Sequence, residues 1–149
     1  MTRRDFAKFW LPVILWMALI FTLSTGIGSM QRTSRIIGPL LRLVWRDVSD
    51  KTIHDVQVVV RKAGHVTGYA VLGILLLRAL NHGLFPNVWN TKSAFFSEAV
   101  SICYAISDEF HQSFEPTRYA SAWDVLIDAL GAGAGLFIVW IIGKLRGRW

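Results

Sequence analysis

Apolar residues in this chain come in long blocks separated by short charged stretches, the pattern of helices that cross a membrane. The first block runs from about Phe9 to Gly28, behind Arg3, Arg4 and Lys8. Basic residues before an apolar run resemble a signal peptide, but no small-x-small cleavage site follows cleanly, so the segment reads as a retained helix. From Arg35 to Val48 the pattern changes. Ile36, Ile37, Leu40, Leu41, Val44, Trp45 and Val48 recur at helical spacing opposite Arg35, Arg42, Arg46 and Asp47. This predicts an amphipathic helix lying in the membrane interface, with Pro39 near its start.

A second spanning helix is expected to begin after Thr52, where Thr52 and Asp55 make a capping-box pattern, to enter the bilayer near Gly64 and to run to Leu80. Asn81, His82, Gly83, Pro86 and Asn87 form a turn-rich connection. The third helix starts near Ser93 and continues through Ile106; polar at both ends, it is the weakest span. The fourth runs from about Ala122 to Ile142, ahead of Lys144, Arg146 and Arg148. Its Gly131, Gly133 and Gly135 are the small residues through which membrane helices approach closely. The expected fold is all-α: a polytopic membrane protein of about four transmembrane helices plus an interfacial amphipathic helix in the first connection, with residues 1–149 as one domain.

Composition narrows the class. With 149 residues, 53% of them hydrophobic, the blocks and their connections leave no stretch for an independent soluble core. The net charge of +6 could suggest nucleic acid, but the basic residues flank apolar segments and form no stripe with interleaved aromatics. Membrane orientation and anionic lipid account for them, and no nucleic-acid partner is expected. An even number of spans puts both termini on one side. Their short basic flanks point to the cytoplasmic face of the inner membrane, although the first connection is basic too. Trp10, Trp89, Trp140 and Trp149 would then mark one interface, and Trp45, Trp123 and Tyr119 the other. The single cysteine, Cys103, excludes an internal disulfide and a cysteine-based zinc site, and reads as a small apolar packing residue.

This topology gathers the unusual polar residues at one end. Lys62, His65, Tyr69 and Gly73 fall on one stripe of the second helix. The third leads into Glu109, His111, Gln112 and Arg118, and the fourth opens with Asp124 and Asp128 one turn apart, a face continued by Gly131 and Gly135. Ordinary roles fit several of these. Asp124 can complete a capping box with Ser121, Lys62 and Arg61 can be snorkelling anchors, Tyr69 can be core, and His65 and His111 can be structural. Asp128 is harder to accommodate. It lies about a turn deeper, where an unpaired carboxylate costs about 2.5–3.5 kcal/mol on insertion scales. It needs a partner, drawn from Lys62, His65, Tyr69 and Arg118.

The Lys62-x-x-His65-x-x-x-Tyr69 stretch, the Glu109-x-His111-Gln112-x-Phe114-x-Pro116-x-Arg118 stretch and the Asp124-x-x-x-Asp128-x-x-Gly131 stretch together resemble the VanZ-like family of bacterial membrane proteins. The resemblance covers residues 61–135 and is most specific in its middle stretch. It implies a multi-pass envelope protein with those residues as signature positions, some members being associated with resistance to the glycopeptide teicoplanin. It supplies no reaction and no cofactor.

Three functions compete for these residues. In the first, a non-enzymatic envelope protein binds an anionic lipid headgroup, a cell-wall precursor or a glycopeptide. Lys62 and Arg118 meet phosphate or carboxylate, Asp124 and Asp128 hold the basic groups, and Tyr69, His65 and Gln112 add hydrogen bonds. In the second, an intramembrane hydrolase or transferase acts on a lipid phosphate, with catalytic candidates His65, Glu109, His111 and Asp124. The third, a divalent metal held by the same four residues, is the weakest, because Glu109 and His111 sit too close in sequence to fix a coordination shell. A polar network that only locks the helices together meets the same constraints.

Overall fold

The computed structural model describes residues 2–25, 30–85, 88–114 and 121–149, with residues 30–34 described by their backbone alone. These residues form five helices: α1 (Arg3–Ser24), α2 (Met30–Val44), α3 (Asp50–Leu80), α4 (Thr91–Gln112) and α5 (Ala122–Leu145). The chain is all-helical, as its sequence predicts. α1, α3 and α5 are long and apolar enough to cross a membrane, which makes this a multi-pass membrane protein. The fourth expected span does not join them on composition. α4 has 22 residues but carries Lys92, Glu98, Asp108 and Glu109.

Several helix ends fall elsewhere than expected, each for a local reason. α1 begins at Arg3, not Phe9, because Thr2 and Asp5 close a capping box: the Asp5 N–H donates to Thr2 Oγ1, and the Thr2 N–H to Asp5 Oδ2. It ends at Ser24; Gly28 lies outside the described residues. α2 starts at Met30 and stops at Val44, so Pro39 sits well inside it, not near its start. α3 is capped by Ser49, whose hydroxyl accepts the Thr52 N–H at 3.1 Å, and the Thr52–Asp55 pattern caps nothing. α4 is capped by Asn90 and continues past Ile106 to Gln112, so Asp108, Glu109, His111 and Gln112 occupy helical positions instead of a loop. α5 extends to Leu145.

The tightest crossing joins α3 and α5. A methyl group placed on Gly131 would meet the Val66 carbonyl at 2.6 Å, and one on Gly135 would overlap the Ala70 carbonyl. Only glycine allows backbones this close. Gly133 faces the Glu98 side chain at 3.7 Å, where a methyl group fits. The hydrogen bonds that hold α1 across α3 and α4 include Trp16 Nε1 donating to the Gly68 carbonyl at 2.8 Å and the Tyr104 hydroxyl donating to the Met17 carbonyl at 2.6 Å. Phe9, Val13, Tyr69, Leu72, Leu76, Ala105 and Ala132 fill the space between these helices.

α4 is built inside out. Ser97, Ser101, Asp108, Glu109 and Gln112 are buried, while Phe95, Phe96, Val100, Ile106 and Phe110 are exposed. The two serines satisfy their hydroxyls on their own helix, donating to the Ser93 and Ser97 carbonyls at 2.8 Å. Cys103 also faces outward on this helix and is not the packing residue its setting suggested.

Candidate functional site

The start of α3's polar stripe, the last turns of α4, the first turns of α5 and the end of α1 meet at one end of the bundle, as the topology predicted for the last three helices. Their polar side chains are stitched together in three places. Asp128 is fully buried on α5, and its Oδ1 lies 3.1 Å from His65 Nδ1 on α3. Of the partners weighed for Asp128, His65 is in hydrogen-bonding contact and Lys62 and Tyr69 are not; Arg118 lies outside the described residues. Asp108 on α4 is 1% exposed. Its Oδ2 accepts from the Ser24 hydroxyl of α1 at 2.6 Å and from Gln112 Nε2 at 3.0 Å. Gln112 Oε1 accepts in turn from Arg61 Nη2 on α3 at 3.3 Å.

The third stitch is at the start of α5. Ser121 caps that helix by accepting the Trp123 N–H at 3.2 Å. A full capping box would have Asp124 bind the Ser121 N–H; instead Glu109 reaches across from α4, its Oε2 accepting that N–H at 2.9 Å. The cap is thus shared between two helices.

Buried oxygens remain at this end without a hydrogen-bond partner among the described residues: the Tyr69 hydroxyl, Asp108 Oδ1, Glu109 Oε1 and Asp128 Oδ2. Buried polar atoms in native proteins are nearly always satisfied, so these are places for water or a ligand group. Basic groups are arranged the other way. Lys62 is exposed, and Arg61 and His65 are partly so. Acidic groups point inward and basic groups stand at the rim.

A groove of about 330 Å³ opens between α1 and α3. Ser24, Gln57, Arg61 and His65 form its polar end, and Trp16, Leu19, Ile20, Leu23 and Val60 its apolar walls. A smaller recess of about 70 Å³ on the other side of His65 is lined by Arg61, Lys62 and Asp124. His65 borders both. The structure therefore brings Lys62, His65, Asp124 and Asp128 into one neighbourhood, with Gln112 joined to it through Arg61. Tyr69 is buried at the inner edge of the groove. His111 packs its ring against Phe21 of α1, centroids 4.5 Å apart, with Nε2 buried and without a hydrogen-bond partner among the described residues. Arg118 and Pro116 lie outside the described residues. No group of three or more His, Cys, Asp or Glu among the described residues is placed to hold a metal ion, so the donor set His65, Glu109, His111 and Asp124 does not assemble.

Three contributors were not singled out from the sequence, Ser24, Gln57 and Asp108, and Arg61 reads there only as a snorkelling anchor. Asp108 and Gln112 stand four apart, a spacing that puts them on one helical face once α4 is known to continue that far. Ser24 gave no signal of its own, because nothing local announces its bond to a residue 84 positions away.

The VanZ/LLP1 family model matches residues 9–143, which takes in every residue of this site. No curated protein and no solved structure matches the chain.

Proposed function

The chain belongs to the VanZ/LLP1 family, and from that premise we propose that it is an envelope protein of the inner membrane whose polar end binds an anionic headgroup, of a phospholipid or of a lipid-linked wall precursor. The observation that carries this reading is the segregation of charge. Asp108, Glu109 and Asp128 are buried behind the rim, whereas Arg61, Lys62 and His65 border the groove and the recess. A headgroup phosphate entering from the membrane meets the basic groups first. Arg61 suits it by its planar fork of donors, and Lys62 by a compact mobile charge. Arg118, carried over from the family pattern, is assigned to the same headgroup.

In this reading α4 completes a four-helix bundle in the bilayer with both termini cytoplasmic. Its inverted face supports that placement: aromatic and aliphatic side chains outward suit lipid, and charged ones inward suit a bundle interior. A link to teicoplanin resistance, or direct capture of the glycopeptide, is part of the proposal through the family resemblance alone.

The test is the lipid content of purified protein. The wild type should retain anionic lipid through delipidation in neutral detergent, and Arg61→Ala with Lys62→Ala should lose it. Full retention by the double variant would sink the reading.

One observation favours a second reading, an intramembrane hydrolase of lipid phosphate esters. His65 is held at Nδ1 by a buried carboxylate and borders both cavities, the arrangement of an oriented general base. Water would add to phosphorus and lose its proton to His65, and the lipid alcohol would depart with the P–O bond pair and receive that proton. Release of inorganic phosphate from a phosphomonoester lipid, abolished in His65→Gln, would establish it.

A further inference from the structure

α3 places Gln57, Arg61, Gly64 and Gly68 on one face, at helical spacing, along about 16 Å of its axis. The glycines of this face differ from those of α5. Gly131 and Gly135 are needed because another backbone lies against them. Among the described residues, an added methyl group at Gly64 would meet nothing within 4 Å, and at Gly68 only the Ile20 side chain at 3.9 Å. Glycine inside a helix costs about 1 kcal/mol relative to alanine, so a glycine that no backbone approaches needs another reason. Here the reason is the space itself. Both residues line the groove beneath the polar end.

Trp16, fixed by its bond to the Gly68 carbonyl, lines the end of the groove away from Arg61. Leu19, Leu23 and Val60 border it and are exposed toward the apolar surroundings of the bundle. At about 330 Å³ it is near the lower limit of small-molecule sites, which begin at about 300 Å³. That is room for one hydrocarbon chain.

We infer that the groove between α1 and α3 is the subsite for a single hydrocarbon chain of an anionic amphiphile, entered sideways from the bilayer and kept open by Gly64 and Gly68. This deepens the headgroup reading above and rests on it: charge complementarity at Arg61 fixes which end of the amphiphile faces which end of the groove.

Binding of butyl phosphate and hexadecyl phosphate to the full chain in neutral maltoside detergent, followed by native mass spectrometry, tests it. The wild type should hold the long-chain ester at least about tenfold more tightly, the equivalent of two buried methylenes. Gly64→Leu fills the groove and should bring hexadecyl phosphate down to the butyl level without weakening butyl phosphate. Leu19→Trp, which narrows the groove from the other wall, should do the same, so the outcome does not hang on one variant. Gly64→Ala, whose methyl group takes up only a little of the groove, should weaken hexadecyl phosphate less than Gly64→Leu does and melt slightly above the wild type. If both groove variants keep the chain-length preference, the subsite is refuted. If they do so while Arg61→Ala loses both esters, the headgroup reading stands without it. If Arg61→Ala binds both esters as the wild type does, the headgroup reading fails.

Discussion

Asp128 and His65 lie 3.1 Å apart across the α3–α5 crossing, the carboxylate with no exposed surface and the imidazole with 15% of its side chain exposed. Taking away one member leaves the other buried and unanswered, which costs more than never having had the pair. His65→Leu or Asp128→Leu alone should therefore destabilise the protein by about 2–4 kcal/mol. The double variant should recover most of that loss. Unfolding of the four proteins in detergent measures the cycle, and equal, additive losses would show that the pair is not coupled.

Gly135 and Gly133 are neighbours in sequence but have opposite surroundings. Gly135→Ala should cost about 1–3 kcal/mol, because its methyl group overlaps the Ala70 carbonyl and the helices must part. Gly133→Ala should be neutral or slightly stabilising. Thermal denaturation of the two variants side by side checks this, and a larger loss at Gly133 would contradict the crossing described.

Trp16 and Tyr104 each tie α1 to the bundle with one side-chain donor and one backbone carbonyl. Trp16→Phe and Tyr104→Phe should each lose about 1 kcal/mol, and their losses should add, since the bonds share no partner. Limited proteolysis at the α1–α2 connection should rise in the double variant before global unfolding does.

Glu109 supplies the shared cap of α5. Glu109→Ala leaves the Ser121 N–H without its acceptor, whereas Glu109→Gln keeps an oxygen at the same reach. Hydrogen exchange over the first turn of α5 should accelerate in the alanine variant and stay near the wild-type rate in the glutamine variant. Similar acceleration in both would mean that the charge, not the acceptor, holds the turn.

The repeating apolar blocks made the helical class legible in the sequence, and the glycines at 131 and 135 marked the closest crossing. The need of Asp128 for a partner was legible too, because the cost of an unpaired carboxylate depends on depth alone. Which partner it takes depends on how α3 and α5 rotate against each other. Local hydrogen bonding misled at the helix ends: Ser49 outcompetes Thr52 because it stands outside the helix with its oxygen turned back. α4 was obscured by its inversion, since its Asp108 and Glu109 are directed into the bundle and its Phe95, Phe96 and Phe110 outward. The Ser24 to Asp108 bond joins helices with no shared pattern and could be seen only in three dimensions.

The tethers of α1 also set an order of assembly. Its hydrogen bonds to later helices reach 52, 84 and 87 positions onward, to Gly68, Asp108 and Tyr104. α1 therefore leaves the ribosome before any of these partners, and two of these three bonds cannot form until α4 has been made. During that interval it rests against α3, with the Ser24 hydroxyl and the Met17 carbonyl awaiting their partners on α4. A chain halted before α4 would leave α1 held by α3 and the turn after it alone, through the Trp16–Gly68 bond and the packing of Phe9 on Arg78 and His82, so the first helix synthesised is among the last to be locked in place.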